Sequence, residues 1–200
     1  MHVTFGNLKG GVAKSLSSVY VALGLARQGR TVLLVDADDT NRTCLKWQAL
    51  APDWPPTVHV HGWGIPDLAR SVRAVEHLFD DVLVDTGPQK PAIVRQAMQV
   101  TQDLIIPVSP SPAELEHLAD TLALAAEADA LSPVYPRVLL VKVRAGTRSS
   151  VEARRWLTSR GLPVMNAQVS QWEQYALSYG TVPADLAEYA AVLTELNGDP

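Results

Sequence analysis

Apolar residues in this chain fall into short continuous blocks separated by longer stretches with helical spacing. The clearest block is 31–35, Thr-Val-Leu-Leu-Val, a β-branched and leucine run without polar alternation. Such a run fits a strand covered on both faces, as in a parallel sheet. Comparable blocks at 2–6, 81–85, 103–108 and 137–143 read as strands, with weaker or shorter ones at 57–61 and 163–169. Between them, helical spacing predicts helices over 15–28, 41–50, 65–79, 91–101, 113–130 and 149–160, and two more helices finish the chain. Gly29 and Gly161 stand where helix-ending glycines are expected.

Strands separated by helical segments imply crossover connections. The expected fold is α/β, a doubly wound, mostly parallel β-sheet flanked by helices. The 200 residues suffice for one such domain over 1–200, and no linker or internal repeat divides them. In sheets of this kind ligands lie beyond the carboxyl ends of the strands, so the segments that follow the strands carry the candidate chemistry.

The first of these segments is 6–15, ending in Lys9-Gly10-Gly11-Val12-Ala13-Lys14-Ser15 between the first strand and the first helix. Glycines there let backbone N–H groups face phosphate oxygens, and the helix N-terminus favours an anion. Gly10, Gly11, Val12, Ala13, Lys14, Ser15 and Leu16 form the candidate phosphate-binding set. Lys14 would bring a charge to the phosphates, and the Ser15 hydroxyl could ligate Mg²⁺. The generic phosphate-loop pattern nevertheless fails, because Leu8 and Ala13 occupy its glycine positions. What is present is Lys-Gly-Gly-x-x-Lys-Ser, with a second lysine five residues before the first.

That two-lysine pattern resembles the ParA/MinD family of P-loop ATPases with a deviant Walker A loop. It is most like the small ParA-type partition ATPases without an N-terminal helix-turn-helix. The resemblance implies that ATP with Mg²⁺ is the ligand and that Lys9 reaches the phosphates of the partner subunit in an ATP-bound homodimer. Leu33-Leu34-Val35-Asp36-Ala37-Asp38 looks like the family's second acidic motif. Asp36 then falls near the metal and Asp38 orients the attacking water, with Lys9, Lys14 and Asp38 as the catalytic set. Val82-Leu83-Val84-Asp85 looks like a Walker B strand, so Ser15, Asp36 and Asp85 are the metal-side residues. The sequence departs from the family at Ala13, at Asp39-Thr40 and at Gly87. A methyl group at Ala13 is compatible with the loop if that residue takes a negative φ.

Charge and composition then sort the possibilities. Residues 142–160 hold six basic side chains and one acidic one, whereas 161–200 hold five acids and no Lys or Arg. Arg144, Arg148, Arg154, Arg155 and Arg160 are therefore candidates for non-specific DNA binding by a dimer. The other view of this segment is a solvated helix face balanced by the acidic tail. An acidic tail argues against a membrane-binding terminal helix, and the single Cys44 argues against iron–sulfur relatives. No signal peptide or spanning segment is evident, so a cytoplasmic protein is expected, nucleoid-associated when ATP-bound.

The functional expectation is a slow ATPase that segregates plasmid or chromosome with a ParB-like, centromere-binding adaptor. Positioning of a protein cargo, or a metabolic P-loop enzyme of the same fold, are the alternatives. His59-Val60-His61 has metal-like spacing but no third ligand, and the five tryptophans are read as core or interface packing.

Overall fold

A computed structural model describes residues 1–64 and 66–198. The seven strands are β1 (His2–Phe5), β2 (Val32–Ala37), β3 (Val58–Gly62), β4 (Asp81–Thr86), β5 (Asp103–Val108), β6 (Tyr135–Val143) and β7 (Val164–Ser170). They form one sheet in the order β3-β2-β4-β1-β5-β6-β7, and every pairing is parallel. All seven expected strands are therefore present, and the sheet is fully rather than mostly parallel.

The helices are α1 (Lys14–Arg27), α2 (Thr43–Leu50), α3 (Leu68–Val75), α4 (Pro91–Met98), α5 (Pro112–Glu116), α6 (Leu118–Asp129), α7 (Arg148–Ser159), α8 (Glu173–Leu177) and α9 (Tyr189–Leu196). Two expected helices differ. The one expected over 65–79 is shorter and ends in a 3-10 turn at Glu76–Leu78. Its first expected residue, Ile65, lies outside the described residues. The one expected over 113–130 is two helices joined at His117. It starts where Ser111 caps the Glu114 amide and Pro112 occupies the first turn. Leu115 and Leu118, on either side of the join, are both buried in the same core.

Both faces of the sheet are covered because successive strand residues serve opposite faces. Val32 and Leu34 of β2 join the core beneath α1, α2, α8 and α9, whereas Leu33 and Val35 join the core beneath α3 and α4. In β5, Ile105 faces the first core and Leu104, Ile106 and Val108 face the core beneath α5, α6 and α7. The first core contains an aromatic group in which Tyr20 of α1 lies 4.8 Å from Tyr189, 5.4 Å from Tyr175 and 6.4 Å from Trp47. Among the described residues, no helix is long and apolar enough to cross a membrane.

The acidic C-terminal segment is used to close the sheet edge. Glu195 accepts from the amides of Asn166 and Ala167 at 3.0 and 2.9 Å, and Glu188 accepts from the Ser170 amide at 2.7 Å and from the Tyr175 hydroxyl at 3.0 Å. An uncovered edge strand would offer these amides to another chain. Replacing Glu195 by alanine should lower the free energy of unfolding in urea by about 1–3 kcal/mol, since two edge amides lose a charged acceptor. A urea midpoint unchanged from the parent protein would contradict this role.

Candidate functional site

The loop from Gly6 to Ala13 leaves β1 at the carboxyl edge of the sheet and feeds α1. Its base is anchored by Asn7, a buried side chain that donates to the Pro107 carbonyl at 2.8 Å and accepts from the Lys9 amide at 2.8 Å. At its far end, the Ser17 amide and hydroxyl both donate to the Ala13 carbonyl, at 3.0 and 2.8 Å. Lys14 is buried and its ammonium donates to the Lys9 carbonyl at 2.8 Å. Burial lowers the Lys14 pKa from its ordinary value, and the carboxylates of Asp85 and Asp38 oppose that shift. Lys9 is exposed, and its side chain bonds to no described residue.

Ala13 corrects one expectation. It sits at φ 61 and ψ 27, in the left-handed region, not at the negative φ that would make its methyl group innocuous. For a residue with a Cβ, that conformation costs about 1–2 kcal/mol. The loop's turn into α1 demands the conformation, so the cost is carried by the surrounding contacts.

Three carboxylates face this loop. Asp36 and Asp85 are register partners on β2 and β4, so their side chains lie next to each other at the sheet end. Asp36 is 1% exposed and accepts from the amides of Asp38 at 3.2 Å and Leu45 at 3.1 Å. Burial raises its pKa, and those amides only partly offset the rise. Asp85 is fully buried; its Oδ2 accepts from the Cys44 thiol at 3.3 Å, while its Oδ1 has no partner. Burial pushes its pKa up to about 7, Asp36 adds to the shift, and Ser15, Cys44 and Lys14 oppose it. The Cys44 thiol is itself pushed well up by burial and the neighbouring carboxylates.

Asp38 is held differently. Its Oδ1 accepts from the amides of Thr40 and Asn41, both at 3.1 Å, and its Oδ2 from the Asn41 side chain at 2.8 Å. Burial alone would raise its pKa, but these hydrogen bonds outweigh it and keep the group ionised. Gly87 packs against Asp38, and a Cβ added at Gly87 would stand 3.1 Å from the Asp38 Cγ. The glycine thus lets the two loops nest. Asp39 is ion-paired with Lys90, which ties the loop after β2 to the loop after β4.

The orphaned Oδ1 of Asp85 tests whether a cation fits here. A buried carboxylate oxygen without a partner is costly unless something positive approaches it. Among the described residues, no group of three or more His, Cys, Asp or Glu side chains is arranged to hold a metal alone. A hard cation at Asp85 would complete its shell with the Ser15 hydroxyl, water and phosphate oxygens, as Mg²⁺ does.

Beside the loop lies a cavity of about 370 Å³, whose walls include Gly11, Ala13, Leu16, Trp47, Trp172 and Tyr175. It opens off the same sheet edge as the carboxylates and is walled by aromatic rings.

Residues 1–52 match a family model described as an AAA domain. Comparison with curated protein sequences finds no match. Solved structures are similar over nearly the whole chain. A plasmid partition protein from Borrelia burgdorferi B31 bound to AMPPNP is 13% identical, with a TM-score of 0.75 over 99% of this chain and 98% of that one. The cell division ATPase MinD of Pyrococcus furiosus is 17% identical, with a TM-score of 0.73 over 99% of each chain. Cobyrinic acid a,c-diamide synthase from Mycobacterium smegmatis, with bound ADP and magnesium, is 18% identical, with a TM-score of 0.73 over 99% of this chain and 96% of that one. The chain has the ParA/MinD-type P-loop fold.

Within that fold the structure gathers Lys9, Lys14, Ser15, Asp36, Asp38 and Asp85 at one edge. The arginines of the basic segment are not gathered in the same way. Arg144, Arg154 and Arg155 line one side of α7, but Arg154 is spent on the carbonyls of Met165 and Asn166. Arg148 is paired with Glu152, and Arg160 lies on the other side of α7, stacked 3.9 Å from the Trp156 ring and near Glu116. His59 and His61 pack against Phe79 and Trp63.

Sequence reasoning missed Asn7, Cys44 and Lys90. Asn7 left a usable signal, a polar residue directly after a buried strand. The other two matter only through contacts across strands, at Asp85 and Asp39.

The strain at Ala13 has a direct consequence. Ala13→Gly should raise stability by about 1 kcal/mol by removing the left-handed penalty, a shift of about 2–4 °C in Tm. Calorimetry of the nucleotide-free protein measures it; an equal or lower Tm would show that Ala13 is not strained in solution.

Proposed function

We propose that the chain is an ATP- and Mg²⁺-dependent ATPase that works as a dimerising partition switch. The observation that carries this reading is the convergence of Lys14, Asp36 and the orphaned Asp85 oxygen on a phosphate loop whose second lysine, Lys9, is left facing solvent. The loop amides, the α1 N-terminus and Lys14 bind and orient the phosphates. Ser15 and Asp85, with Asp36 behind, hold Mg²⁺, which when bound neutralises charge on the phosphate oxygens. Asp38, kept ionised by Thr40 and Asn41, orients the attacking water. Lys9 completes the site across a homodimer. The aromatic cavity beside Gly11 and Ala13 takes the nucleoside, with Trp172 at its rim.

This reading makes the dimer the functional state. Arg144 and Arg155 then supply the exposed basic surface for DNA, with Arg148 paired to Glu152 beside them, and two acids of the C-terminal segment, Glu188 and Glu195, are engaged at the β7 edge. A ParB-like adaptor is the corresponding partner that ties cargo to the switch.

Lys9→Ala should bind ATP as the parent protein does and fail to form the ATP-dependent dimer, as read by light scattering on a sizing column. A mutant that still dimerises with ATP would refute the cross-subunit role. Asp38→Ala should lose about 100-fold or more in turnover while keeping the ATP-bound dimer. Filter binding of non-specific duplex DNA with ATP should weaken steeply as salt rises, as phosphate contacts require. Dimerisation and turnover without DNA binding at low salt would remove the partition role and leave a cargo-positioning or metabolic ATPase.

A further inference from the structure

The left-handed backbone at Ala13 can persist only if neighbouring contacts hold the loop in place. Asn7 holds the loop at Lys9, and Ser17 holds it at Ala13. Between these anchors, Gly10, Gly11 and Val12 receive one hydrogen bond among the described residues: the Lys142 ammonium donates to the Gly11 carbonyl at 2.6 Å.

Lys142 reaches the loop because β6 is irregular at that residue. Along β6, Leu139 and Val141 face the core under α1, while Val138 and Leu140 face the opposite core. Strict alternation would put Val143 with Leu139 and Val141, yet Val143 lies with Leu140. The extra residue is Lys142, at φ 55, and the pairing of β6 with β7 shifts register between Leu140 and Val143. Bulges of this kind bend the strand and re-aim one side chain, often beside a functional site. Here the re-aimed side chain leaves the core face and crosses to the phosphate loop, at the wall of the aromatic cavity.

We propose that Lys142 is a positioning residue of the nucleotide site, a latch that holds the Gly11 peptide and so maintains the strained Ala13 turn in its binding conformation. It supplies from β6 the restraint that a glycine at position 13 would make unnecessary. The inference rests on the nucleotide-binding reading above, but the latch itself exists in the empty protein and can be tested there.

Two measurements on the full chain decide it. Hydrogen exchange of the nucleotide-free protein should show the Gly10–Lys14 amides of Lys142→Ala exchanging faster than in the parent, with the rest of the sheet unchanged. Calorimetric titration with ADP should give a Kd raised about fivefold in Lys142→Ala, the scale of one solvent-exposed hydrogen bond from a charged donor. Lys142→Arg should recover most of that loss. In an Ala13→Gly background, Lys142→Ala should cost less than about twofold, because the turn no longer needs the restraint. Unchanged loop exchange in Lys142→Ala would overturn the latch, whatever its affinity for ADP. The same fivefold loss in the Ala13→Gly background would overturn it too, and would place Lys142 on the nucleotide instead. A parent protein that binds no ADP would refute the nucleotide reading, and loop exchange would still decide the latch.

Discussion

Two carboxylates held side by side in a dry sheet end set the terms for everything around them. Parallel pairing of β2 with β4 makes Asp36 and Asp85 neighbours, and the helices on both faces exclude water from them. Like charges in such a place disfavour one another's ionised forms. The molecule answers with amides for Asp36, a thiol for one oxygen of Asp85, and Lys14 nearby, yet one Asp85 oxygen stays unmatched. An arrangement so short of positive charge is stable ground for a cation. It is an expensive way to build a sheet that binds nothing.

The phosphate loop shows the same logic in its backbone. A turn that admits Gly11 at φ 74 and Ala13 at φ 61 presents successive amides to one side. The alanine makes that shape costlier than a glycine would, and the loop is correspondingly well tethered, by Asn7 to β5, by Ser17 to α1 and by Lys142 to β6. The tethers to β5 and β6 come from distant parts of the chain, so the loop's shape depends on the completed sheet.

Behind the loop, α1 is bound to the C-terminal helices by aromatic packing and by the hydrogen bond between Ser17 and Tyr189 at 2.9 Å. Tyr175 links that group to Glu188, and Glu188 to the edge of β7. α1 is thereby packed continuously against α8 and α9. Two acids of the C-terminal segment, Glu188 and Glu195, cap the β7 edge instead of facing the basic segment as free charges.

The amino-acid sequence by itself determined the strand number, their order along the chain and the residues placed at the sheet edge. Buried parallel strands need uninterrupted apolar runs, and the polar residues that end those runs, such as Asp36 and Asp85, have nowhere to lie but the carboxyl edge. It could not reveal contacts made between elements distant in the chain. The left-handed backbone at Ala13 belongs to a loop tied through Asn7 to Pro107 of β5 and through Gly11 to Lys142 of β6, and local preference would have chosen otherwise. The division of the arginines around α7 depends on which side of that helix meets β7. The reach of Lys142 depends on a bulge that no spacing of hydrophobic residues announces. These are properties of register and packing between strands and helices far apart in sequence, and they came into being only when the sheet was assembled.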